Sequence, residues 1–290
     1  MVEMRFDSPL SAVEQAWFDC FVAMGTAGKA AATPLAGTSA GRRVLGRGEG
    51  GDATLVLDER AEEAMLSTLN ERAPEPYGVV SEEAGVLPGP PGAPLVLIDP
   101  VDGSLNAKRG LPPFCAAVAL ARGDTLAHVR VGFVADYTRT LWHAAFRGQG
   151  YAAGSDVASP EGLRGSAVEV LLLEAGRPHG HTFNYGTLAE LAGADAGSEM
   201  RVRQIGSLAL CLCHLAGGVA DVLFAPVPSR SVDIAGGLLM VAESGGGAAS
   251  LDGSDLFSQP LDLVRRSPFV AWRAGVDGTR VAAAARAILP

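Results

Sequence analysis

Apolar positions near the start of the chain recur at helical spacing in two separate segments. Ser8 and Pro9 suit the N-cap and the first turn of a helix. One face of this first segment then carries Leu10, Val13, Trp17, Cys20, Phe21 and Met24. A second amphipathic segment opens at Asp58, and its apolar face carries Ala61, Ala64, Met65 and Leu69. Between the two predicted helices, the Gly- and Arg-rich stretch 36–51 predicts a flexible loop.

The middle of the chain changes from helical spacing to short apolar runs and alternation. Residues 95–98 form an apolar run that ends at Asp99 and Pro100, which is typical of a buried strand. Apolar and polar residues alternate over 129–133, and an apolar run over 141–146 follows a polar turn. This region therefore predicts strands, and the last two of them are expected to form a hairpin.

A polar stretch over 154–165, rich in Ser, Gly and Pro, indicates a boundary between two halves. We predict an N-terminal half of residues 1–153 and a C-terminal half of residues 154–290. The C-terminal half then alternates strand, helix, strand and helix, over 168–173, 207–215, 219–224 and 233–243. Such alternation indicates the α/β class, with helices and two sheets arranged in layers.

Composition and charge exclude several classes of protein. The chain has 290 residues, of which 48% are hydrophobic and 19% charged, so we expect a folded core rather than disorder. The formal net charge of -9 argues against a nucleic-acid partner, which needs clustered positive charge. The most apolar stretch, 208–227, is interrupted by polar, Gly and Pro residues, whereas a spanning helix needs about 20 apolar residues. We therefore expect no membrane partner either.

The first residues and the cysteines favour the cytoplasm. Residues 1–10 contain no basic region followed by an apolar stretch, so we expect no cleaved secretion signal. The cysteines lie in apolar surroundings and none belongs to a CxxC pair: Cys20, Cys115, Cys211 and Cys213. Reduced, buried thiols are the expected state of all four.

Two acids, a glycine and a hydroxyl fall in one tight turn directly after a predicted strand. These residues are Asp99, Asp102, Gly103 and Ser104. Close carboxylates repel each other, which raises their pKa values, unless a cation neutralises them. Magnesium prefers oxygen ligands and pairs with phosphate. The turn therefore predicts a functional site rather than an ordinary surface loop.

The other notable acids have a structural explanation when each is taken alone. Asp58 and Asp233 each open a predicted helix, where an aspartate commonly serves as the N-cap. Glu82 and Glu83 follow an apolar pair and are typical of a solvated loop. A functional assignment therefore depends on whether these acids meet the turn at 99–104.

Several segments, taken in order, resemble one protein family. They read VSEE over 80–83, LIDPVDGSLN over 97–106, VDIAGG over 232–237 and ESGG over 243–246. Together they resemble the inositol monophosphatase family of lithium-sensitive, magnesium-dependent phosphatases. The resemblance extends from the first helix to about Gly247. The pattern SRSVD that ends at Asp233 is similar to the archaeal-type branch, which also hydrolyses fructose 1,6-bisphosphate.

The resemblance implies a layered αβαβα sandwich, a homodimer and a metal cluster between the two halves. It implies two to three Mg²⁺ ions with oxygen ligands. Glu82, Asp99 and the carbonyl of Val101 would hold one ion. Asp99, Asp102 and Asp233 would hold a second, and a third, weaker ion would lie near Glu82.

The same resemblance implies roles around the substrate and the attacking water. Gly103 and Ser104 would offer backbone N–H groups to the phosphate of a small metabolite, next to Asp102. Ser104 and Asp58 would orient and deprotonate the water, and Glu82 would complete the catalytic set through the metal. The implied reaction is metal-assisted hydrolysis of a phosphate monoester.

Arg230 departs from the pattern of family members that prefer inositol. Those members carry an acid upstream of the position of Asp233, whereas residues 222–232 contain none here. A guanidinium suits a second phosphate, so we predict that Arg230 binds one in a bisphosphorylated substrate. The alternative is a solvated charge on a loop.

Other interpretations stay open from the sequence. The motifs are shared with branches that act on adenosine 3',5'-bisphosphate or histidinol phosphate, and a non-catalytic module that binds phosphometabolites would use the same pocket. His179 and His181 form an HxH pair typical of a surface loop, and His214 is expected on a core helix face. The glycines over 245–247 indicate a helix end rather than a phosphate loop, since no GK[ST] follows.

Overall fold

Helices and sheets alternate through the molecule in five layers. The computed structural model describes residues 6–154, 166–175, 189, 200–266 and 268–288. Within these residues, two long helices cover one face of a seven-stranded sheet, and two more helices separate that sheet from a five-stranded one. A last helix covers the far face of the smaller sheet. The arrangement is the predicted αβαβα sandwich.

The described helices are α1 (Ala12–Ala32), α2 (Val56–Arg72), α3 (Ser104–Arg109), α4 (Leu208–Ala216), α5 (Ser231–Glu243) and α6 (Gly278–Ile288). Short 3-10 turns occupy Thr33–Leu35, Leu126–His128 and Leu256–Ser258. Helices α1 and α2 form the first layer, α4 and α5 the middle layer, and α6 the last.

The larger sheet has the order β4-β3-β5-β6-β7-β8-β9, and only the β3 and β5 pair in it is parallel. Its strands are β3 (Gly78–Ser81), β4 (Gly85–Leu87), β5 (Leu95–Asp102), β6 (Cys115–Ala121), β7 (Val129–Asp136), β8 (Leu141–Phe146) and β9 (Gly150–Gly154). Strands β7 and β8 pair antiparallel, which confirms the predicted hairpin.

The smaller sheet has the order β11-β10-β12-β14-β13. Its strands are β10 (Val170–Leu173), β11 (Arg201–Arg203), β12 (Val222–Ala225), β13 (Gly247–Ser250) and β14 (Phe269–Trp272). Strand β10 runs parallel to β11 and β12, and β14 runs antiparallel to β12 and β13. The four predicted elements are found as β10, α4, β12 and α5, with the unpredicted strand β11 between β10 and α4 in the chain. The predicted boundary, 154–165, begins at the last residue of β9, and its residues 155–165 lie outside the described part.

Helix α1 begins later than the predicted start at Ser8 and Pro9. Its N-cap is Ser11, whose hydroxyl accepts the backbone N–H of Glu14 at 3.4 Å, while the Glu14 carboxylate accepts the N–H of Ser11 at 2.8 Å. This reciprocal pair satisfies two donors that would otherwise be free. Ser8 has no such partner, because a serine stands where its capping carboxylate would have to be.

The stretch 36–51, predicted as a loop, contains a strand. Residues 44–47 form β1, which pairs antiparallel with β2 (Ala53–Leu55). All four residues of β1 are exposed, so the strand has no buried face. Without a buried face there is no apolar alternation by which the sequence could have predicted it.

Strand β5 continues through the residues at which its predicted run ended. Asp99 pairs with Ala117 and Asp102 with Cys115, and the register shifts between these two pairs. Pro100 lacks a backbone donor and is accommodated at this irregularity. The bulge carries the strand into the turn and brings both acids to the edge of the sheet.

Strand β6 shows how one sheet serves two cores. Its residues are all buried and alternate between them. Ala116, Val118 and Leu120 pack with α1 and α2, whereas Cys115, Ala117, Ala119 and Ala121 pack with α4 and α5. The sequence of a strand that is covered on both faces is a continuous apolar run.

Among the described residues, none of the helices combines the length and apolar character that crossing a membrane requires.

Candidate active site

The predicted functional residues converge on one pocket. It lies where β5 leaves the larger sheet, close to the first turns of α2 and α5. Its lining includes every predicted site residue except Asp233, namely Asp58, Glu82, Asp99, Val101, Asp102, Gly103, Ser104 and Arg230, together with Asp52, Ala53, Glu83 and Leu105. Asp233 reaches the same acids from α5.

Asp99 and Asp102 are each held by a protein donor to one carboxylate oxygen. Asp99 Oδ1 accepts the backbone N–H of Val101 at 3.0 Å. Asp102 Oδ2 accepts the hydroxyl of Ser207 at 2.6 Å and the N–H of Ala209 at 2.7 Å, which caps the first turn of α4. These bonds fix both side chains and leave the other oxygen of each carboxylate for the pocket.

Gly103 and Ser104 form the turn between β5 and α3. Gly103 has φ +92°, and a Cβ there would lie 3.1 Å from the carbonyl oxygens of both Gly206 and Pro113. Only glycine fits such a position without strain. The Ser104 hydroxyl donates to the carbonyl of Val101 at 2.7 Å, so that carbonyl, a predicted metal ligand, keeps one lone pair for another partner.

Asp58 is the third residue of α2. The sequence predicted it as the N-cap, which is Leu55 instead. Asp58 Oδ2 accepts the backbone N–H of Leu55 at 3.0 Å. Its Oδ1 is buried and accepts no hydrogen bond from any described residue. Burial raises the pKa of Asp58 to about 7, against the lowering effect of the Leu55 N–H. The carboxyl therefore keeps one atom available to exchange a proton.

Asp233 occupies the same position at the start of α5. Its Oδ2 accepts the N–H of Arg230 at 3.1 Å, so it too is a third-position residue that satisfies a donor of the helix start. The expectation of N-cap aspartates is therefore wrong by three positions, although both residues do hold a helix terminus. The other oxygen of Asp233, Oδ1, accepts the Nε–H of Arg230 at 3.2 Å.

Glu82 stands in the turn between β3 and β4 and is not a solvated loop residue. Its backbone N–H donates to Ile98 at 3.2 Å, and its carbonyl accepts the N–H of Gly50 at 2.8 Å. Its side chain is 12% exposed. Oxygens of Glu82, Asp99 and Asp233 all lie within 4.8 Å of one another.

This cluster of three acids is electrostatically unfavourable by itself. Burial and the nearby Glu82 carboxylate raise the pKa of Asp99 well above its ordinary value. Burial likewise raises the pKa of Glu82, although Arg230 works in the opposite direction, and burial raises the pKa of Asp102. Each shift means that the folded protein disfavours the charged form of the acid unless a cation is near.

Arg230 is the basic residue within the pocket lining, and it is buried, with 6% of its surface exposed. Its guanidinium lies 2.6 Å from a Glu82 oxygen and 3.2 Å from an Asp233 oxygen, and a longer contact of 3.3 Å reaches Asp52. Burial lowers its pKa, but Asp233 and Glu82 outweigh that effect and raise it overall. The alternative of a solvated loop charge is wrong, while a contact with a second phosphate stays a prediction.

The donor set fits a hard divalent cation. The pocket lining offers carboxylate, carbonyl and hydroxyl oxygens and, within the described residues, neither a thiol nor an imidazole. Such a set suits Mg²⁺ and not the softer transition metals. One arginine also carries less charge than three close carboxylates, so a divalent cation is the chemistry that would balance the cluster.

Ala209 and Glu174 contribute to the site and were not singled out from the sequence. Ser207 and Ala209 hold Asp102, and Glu174 in turn holds their loop by accepting the N–H groups of Ile205 at 2.9 Å and Gly206 at 2.8 Å. A lone glutamate at the end of an apolar run was the available signal for Glu174.

The remaining predictions concern residues away from the pocket. All four cysteines are buried and free, as expected. His214 is partly buried on α4, and burial lowers its pKa. Gly245 follows the end of α5 with φ +87°, which confirms the helix stop. His179 and His181 lie outside the described residues.

Comparison with known proteins agrees with this geometry. The sequence matches the inositol monophosphatase family over residues 19–288. A fructose-1,6-bisphosphatase/inositol-1-monophosphatase of Methanothermobacter thermautotrophicus is 30% identical over 88% of this chain and 91% of its own. The Nus factor SuhB of Escherichia coli is 30% identical over 76% of this chain and 79% of its own. A solved inositol monophosphatase-fructose 1,6 bisphosphatase shares the fold, with a TM-score of 0.75 and 21% identity over 94% of this chain and 99% of that one. The chain belongs to the inositol monophosphatase family.

Proposed function

We propose that this protein is a magnesium-dependent phosphomonoesterase that hydrolyses a small sugar or inositol phosphate. Inositol 1-phosphate and fructose 1,6-bisphosphate are the proposed substrates. The observation that carries the proposal is the approach of Glu82, Asp99 and Asp233 to within 4.8 Å, next to the turn of Gly103 and Ser104. The names of the 30% identical relatives support the same activity.

Two to three Mg²⁺ ions are the proposed cofactors. Glu82, Asp99, Asp102, Asp233 and the carbonyl of Val101 would hold them. When bound, such ions neutralise phosphate charge, stabilise the leaving alkoxide and lower the pKa of a coordinated water. The chain itself contributes rigid ligands, since Asp99 and Asp102 are each fixed through one oxygen and Asp233 is held by Arg230 through both.

Asp58 and Ser104 are the proposed catalytic pair. The two side chains line one pocket, and Asp58 Oδ1 has no protein partner. A water held between Ser104 Oγ and Asp58 Oδ1 would give its proton to Asp58 as it attacks phosphorus. A base is most effective when its pKa lies near the working pH, and burial places that of Asp58 at about 7.

The phosphate itself is proposed to lie against the turn that opens α3. Backbone N–H groups of Gly103 and Ser104 at the start of a helix favour an anion. Asp102 borders this position on the pocket wall. Arg230 stays a candidate for the second phosphate of a bisphosphorylated sugar, because its contact to the half-exposed Asp52 is the longest of its ion pairs at 3.3 Å.

A phosphate-release panel tests the proposed function. The wild type is assayed with Mg²⁺ on inositol 1-phosphate, fructose 1,6-bisphosphate, adenosine 3',5'-bisphosphate and histidinol phosphate. We expect turnover of one or both of the first two, loss of activity in EDTA and inhibition by excess lithium. Turnover of the third or fourth alone would move the protein to another branch. Full activity in EDTA, or a strict need for zinc, would contradict the proposal.

The Nus factor name of a 30% identical relative favours a second candidate, a Nus factor role for this chain. Complementation separates the two functions. In an Escherichia coli strain that lacks its own SuhB, rescue by the wild type and equally by an Asp99→Asn variant would support a Nus factor role. Rescue by neither leaves the phosphatase as the single candidate, and a non-catalytic metabolite-binding module is excluded by turnover in the panel.

A cytoplasmic location and a homodimer complete the proposal. The four buried, free cysteines support a reducing compartment. The family resemblance supports the dimer. Light scattering coupled to size-exclusion chromatography checks it, and a monomeric mass at micromolar concentration would contradict it.

A further inference from the structure

Glu62 is a buried acid that the proposed mechanism does not use. It lies one turn after Asp58 on the same face of α2 and is only 7% exposed. Its neighbours on this face, Ala61, Met65 and Leu69, are fully buried core residues. Within the described residues, no basic side chain forms an ion pair with Glu62.

The partners of Glu62 identify what it holds. Its Oε1 accepts the hydroxyl of Ser81 and, at 3.0 Å, the backbone N–H of Ala84. Ser81 is the last residue of β3, and Ala84 lies just before β4. The two bonds therefore close the turn whose central residues are Glu82 and Glu83.

The turn is held from the opposite side as well. Glu83 accepts the hydroxyl of Thr54 in β2, and the carbonyl of Glu82 accepts the N–H of Gly50. With these contacts, the backbone around Glu82 is bonded to α2 on one side and to the β1–β2 hairpin on the other. The Glu82 side chain has a defined direction only if this turn is rigid.

Packing alone does not account for a glutamate at this position. An apolar side chain would fill the same face of α2 without the desolvation cost of a buried carboxyl group. The cost is offset by a specific gain, since the ligands of a metal need partners that orient them, and loss of such a partner typically costs about 10-fold to 100-fold in metal affinity.

We propose that Glu62 is a positioning residue for the metal centre. Through Ser81 and Ala84 it holds the turn that points Glu82 at Asp99 and Asp233. Helix α2 thus supplies two acids one turn apart: Asp58 to the reacting water and Glu62 to the ligand turn. The role of this site as a metal centre rests on the proposed function.

Titration calorimetry with MgCl2 tests the proposal on three variants. Glu62→Ala removes the acceptor, and we expect Mg²⁺ affinity to fall about 10-fold to 100-fold. Glu62→Gln keeps the accepting oxygen, so its affinity should stay within about threefold of the wild type. Glu63→Ala is the matched control, because Glu63 follows Glu62 on α2 but is exposed and pairs only with Arg60 at the surface. Its affinity should not change.

A purely structural role would lower the melting temperature of Glu62→Ala and leave its Mg²⁺ affinity at the wild-type value. That result would overturn the proposal, as would an equal loss of affinity in Glu62→Gln. If Glu62→Ala does not fold, Ser81→Ala replaces it and removes one of the two bonds. We then expect a loss of about threefold to tenfold, and unchanged affinity would overturn the proposal.

The calorimetry and the phosphate-release panel test the two proposals independently. Weaker Mg²⁺ binding by Glu62→Ala together with no turnover by the wild type would reject the proposed substrates but keep the role of Glu62. Turnover by the wild type together with unchanged affinity in Glu62→Ala would do the reverse. No Mg²⁺ binding by the wild type would overturn both.

Discussion

Two buried charged regions of this molecule differ in how their acidic and basic groups balance. In the pocket, Glu82, Asp99 and Asp233 share one basic neighbour, Arg230, and burial raises the pKa of Asp99 well above its ordinary value. Asp58 Oδ1 nearby has no hydrogen-bond partner among the described residues. Acidic groups outnumber basic groups here, and a buried polar atom lacks a hydrogen bond.

The other region lies at the smaller sheet and pairs one acid with one base. Asp221 is 4% exposed and bonded to the Nε of Arg273, which is also 4% exposed. The second oxygen of Asp221 accepts the N–H groups of Glu169 at 2.8 Å and Val170 at 2.7 Å. Arg273 also donates to the carbonyls of Ala274 and Ala167.

The difference separates stability from function. A buried pair whose charges cancel and whose polar atoms are bonded holds β10, β12 and β14 together and needs nothing further. A buried cluster with excess charge lowers the stability of the protein unless something binds to it. The unbalanced region is therefore the one that we propose carries the chemistry, and mutations in the two regions should have opposite signatures.

Replacement of Asp99 should have the largest effect on activity. Asp99→Asn removes the central acid of the cluster, and stabilisation by metal ions is worth several kcal/mol, so kcat should fall at least about a thousandfold. Phosphate release at saturating Mg²⁺ measures it, and circular dichroism checks the fold. Near-wild-type turnover would contradict the assignment of this pocket as the active site.

Replacement of Asp221 should have the largest effect on stability. Asp221→Ala leaves Arg273 buried without its carboxylate, which costs about 3 to 5 kcal/mol of the free energy of unfolding. Urea unfolding measures this loss, while kcat of the folded fraction should equal the wild-type value. A stable variant with reduced kcat would contradict the separation of the two regions.

Replacement of Arg230 should affect one substrate more than another. If its guanidinium binds a second phosphate in place of Asp52, Arg230→Ala raises KM for fructose 1,6-bisphosphate about tenfold to a hundredfold and hardly changes KM for inositol 1-phosphate. Arg265→Ala is the control, because Arg265 also pairs with Asp52 but at the surface.

Equal losses of the Arg230 variant on both substrates would mean that the guanidinium serves Glu82 and Asp233 rather than the substrate. Unchanged kinetics on both would mean that it serves neither.

A smaller effect on stability is expected at His143, a buried polar residue that stays neutral. His143 Nδ1 lies 2.6 Å from the Tyr151 hydroxyl and shares one hydrogen bond with it, while Nε2 has no partner among the described residues. Burial, followed by repulsion from His214 and Arg139, lowers its pKa to about 3. The unfolded chain takes up the proton below about pH 6.5, so stability from this group is complete above that pH and is lost as the pH falls.

At pH 5.5 the loss attributable to His143 is about 1 kcal/mol relative to neutral pH. Urea unfolding at pH 7.5 and pH 5.5, with His143→Phe beside the wild type, isolates this contribution. The variant should lose less stability on acidification. Equal losses would mean that His143 is not held neutral.

The sequence predicted the layers because apolar residues recur at regular spacing in their helices and strands. It predicted the acids because they directly follow an apolar run. Apolar spacing predicted α1, α2, α4 and α5, and the apolar run of β5 followed by acids predicted the turn at 99–104. It did not predict β1, whose residues are all exposed, or the length of β5, because Pro100 interrupts the pattern of a strand.

Within the site, the sequence could not predict which partner each side chain selects. The pairing of Arg230 with Asp233, three residues on, is visible in local spacing, whereas its contacts with Glu82 and Asp52 join residues distant in the chain and leave no such mark. Glu62 did carry a signal, since a glutamate on the buried face of an amphipathic helix needs a partner. That partner, the turn at 81–84, is known only once β3 has packed beside α2.

Thermal unfolding with and without Mg²⁺ tests most directly the claim that excess buried charge marks the functional region. The account predicts that Mg²⁺ raises the melting temperature of the wild type and does not raise that of Asp99→Asn. In EDTA, Asp99→Asn should melt higher than the wild type, because a repelled carboxylate is gone. A wild type that melts at the same temperature in Mg²⁺ and in EDTA, or an Asp99→Asn variant that melts lower in EDTA, would contradict the account.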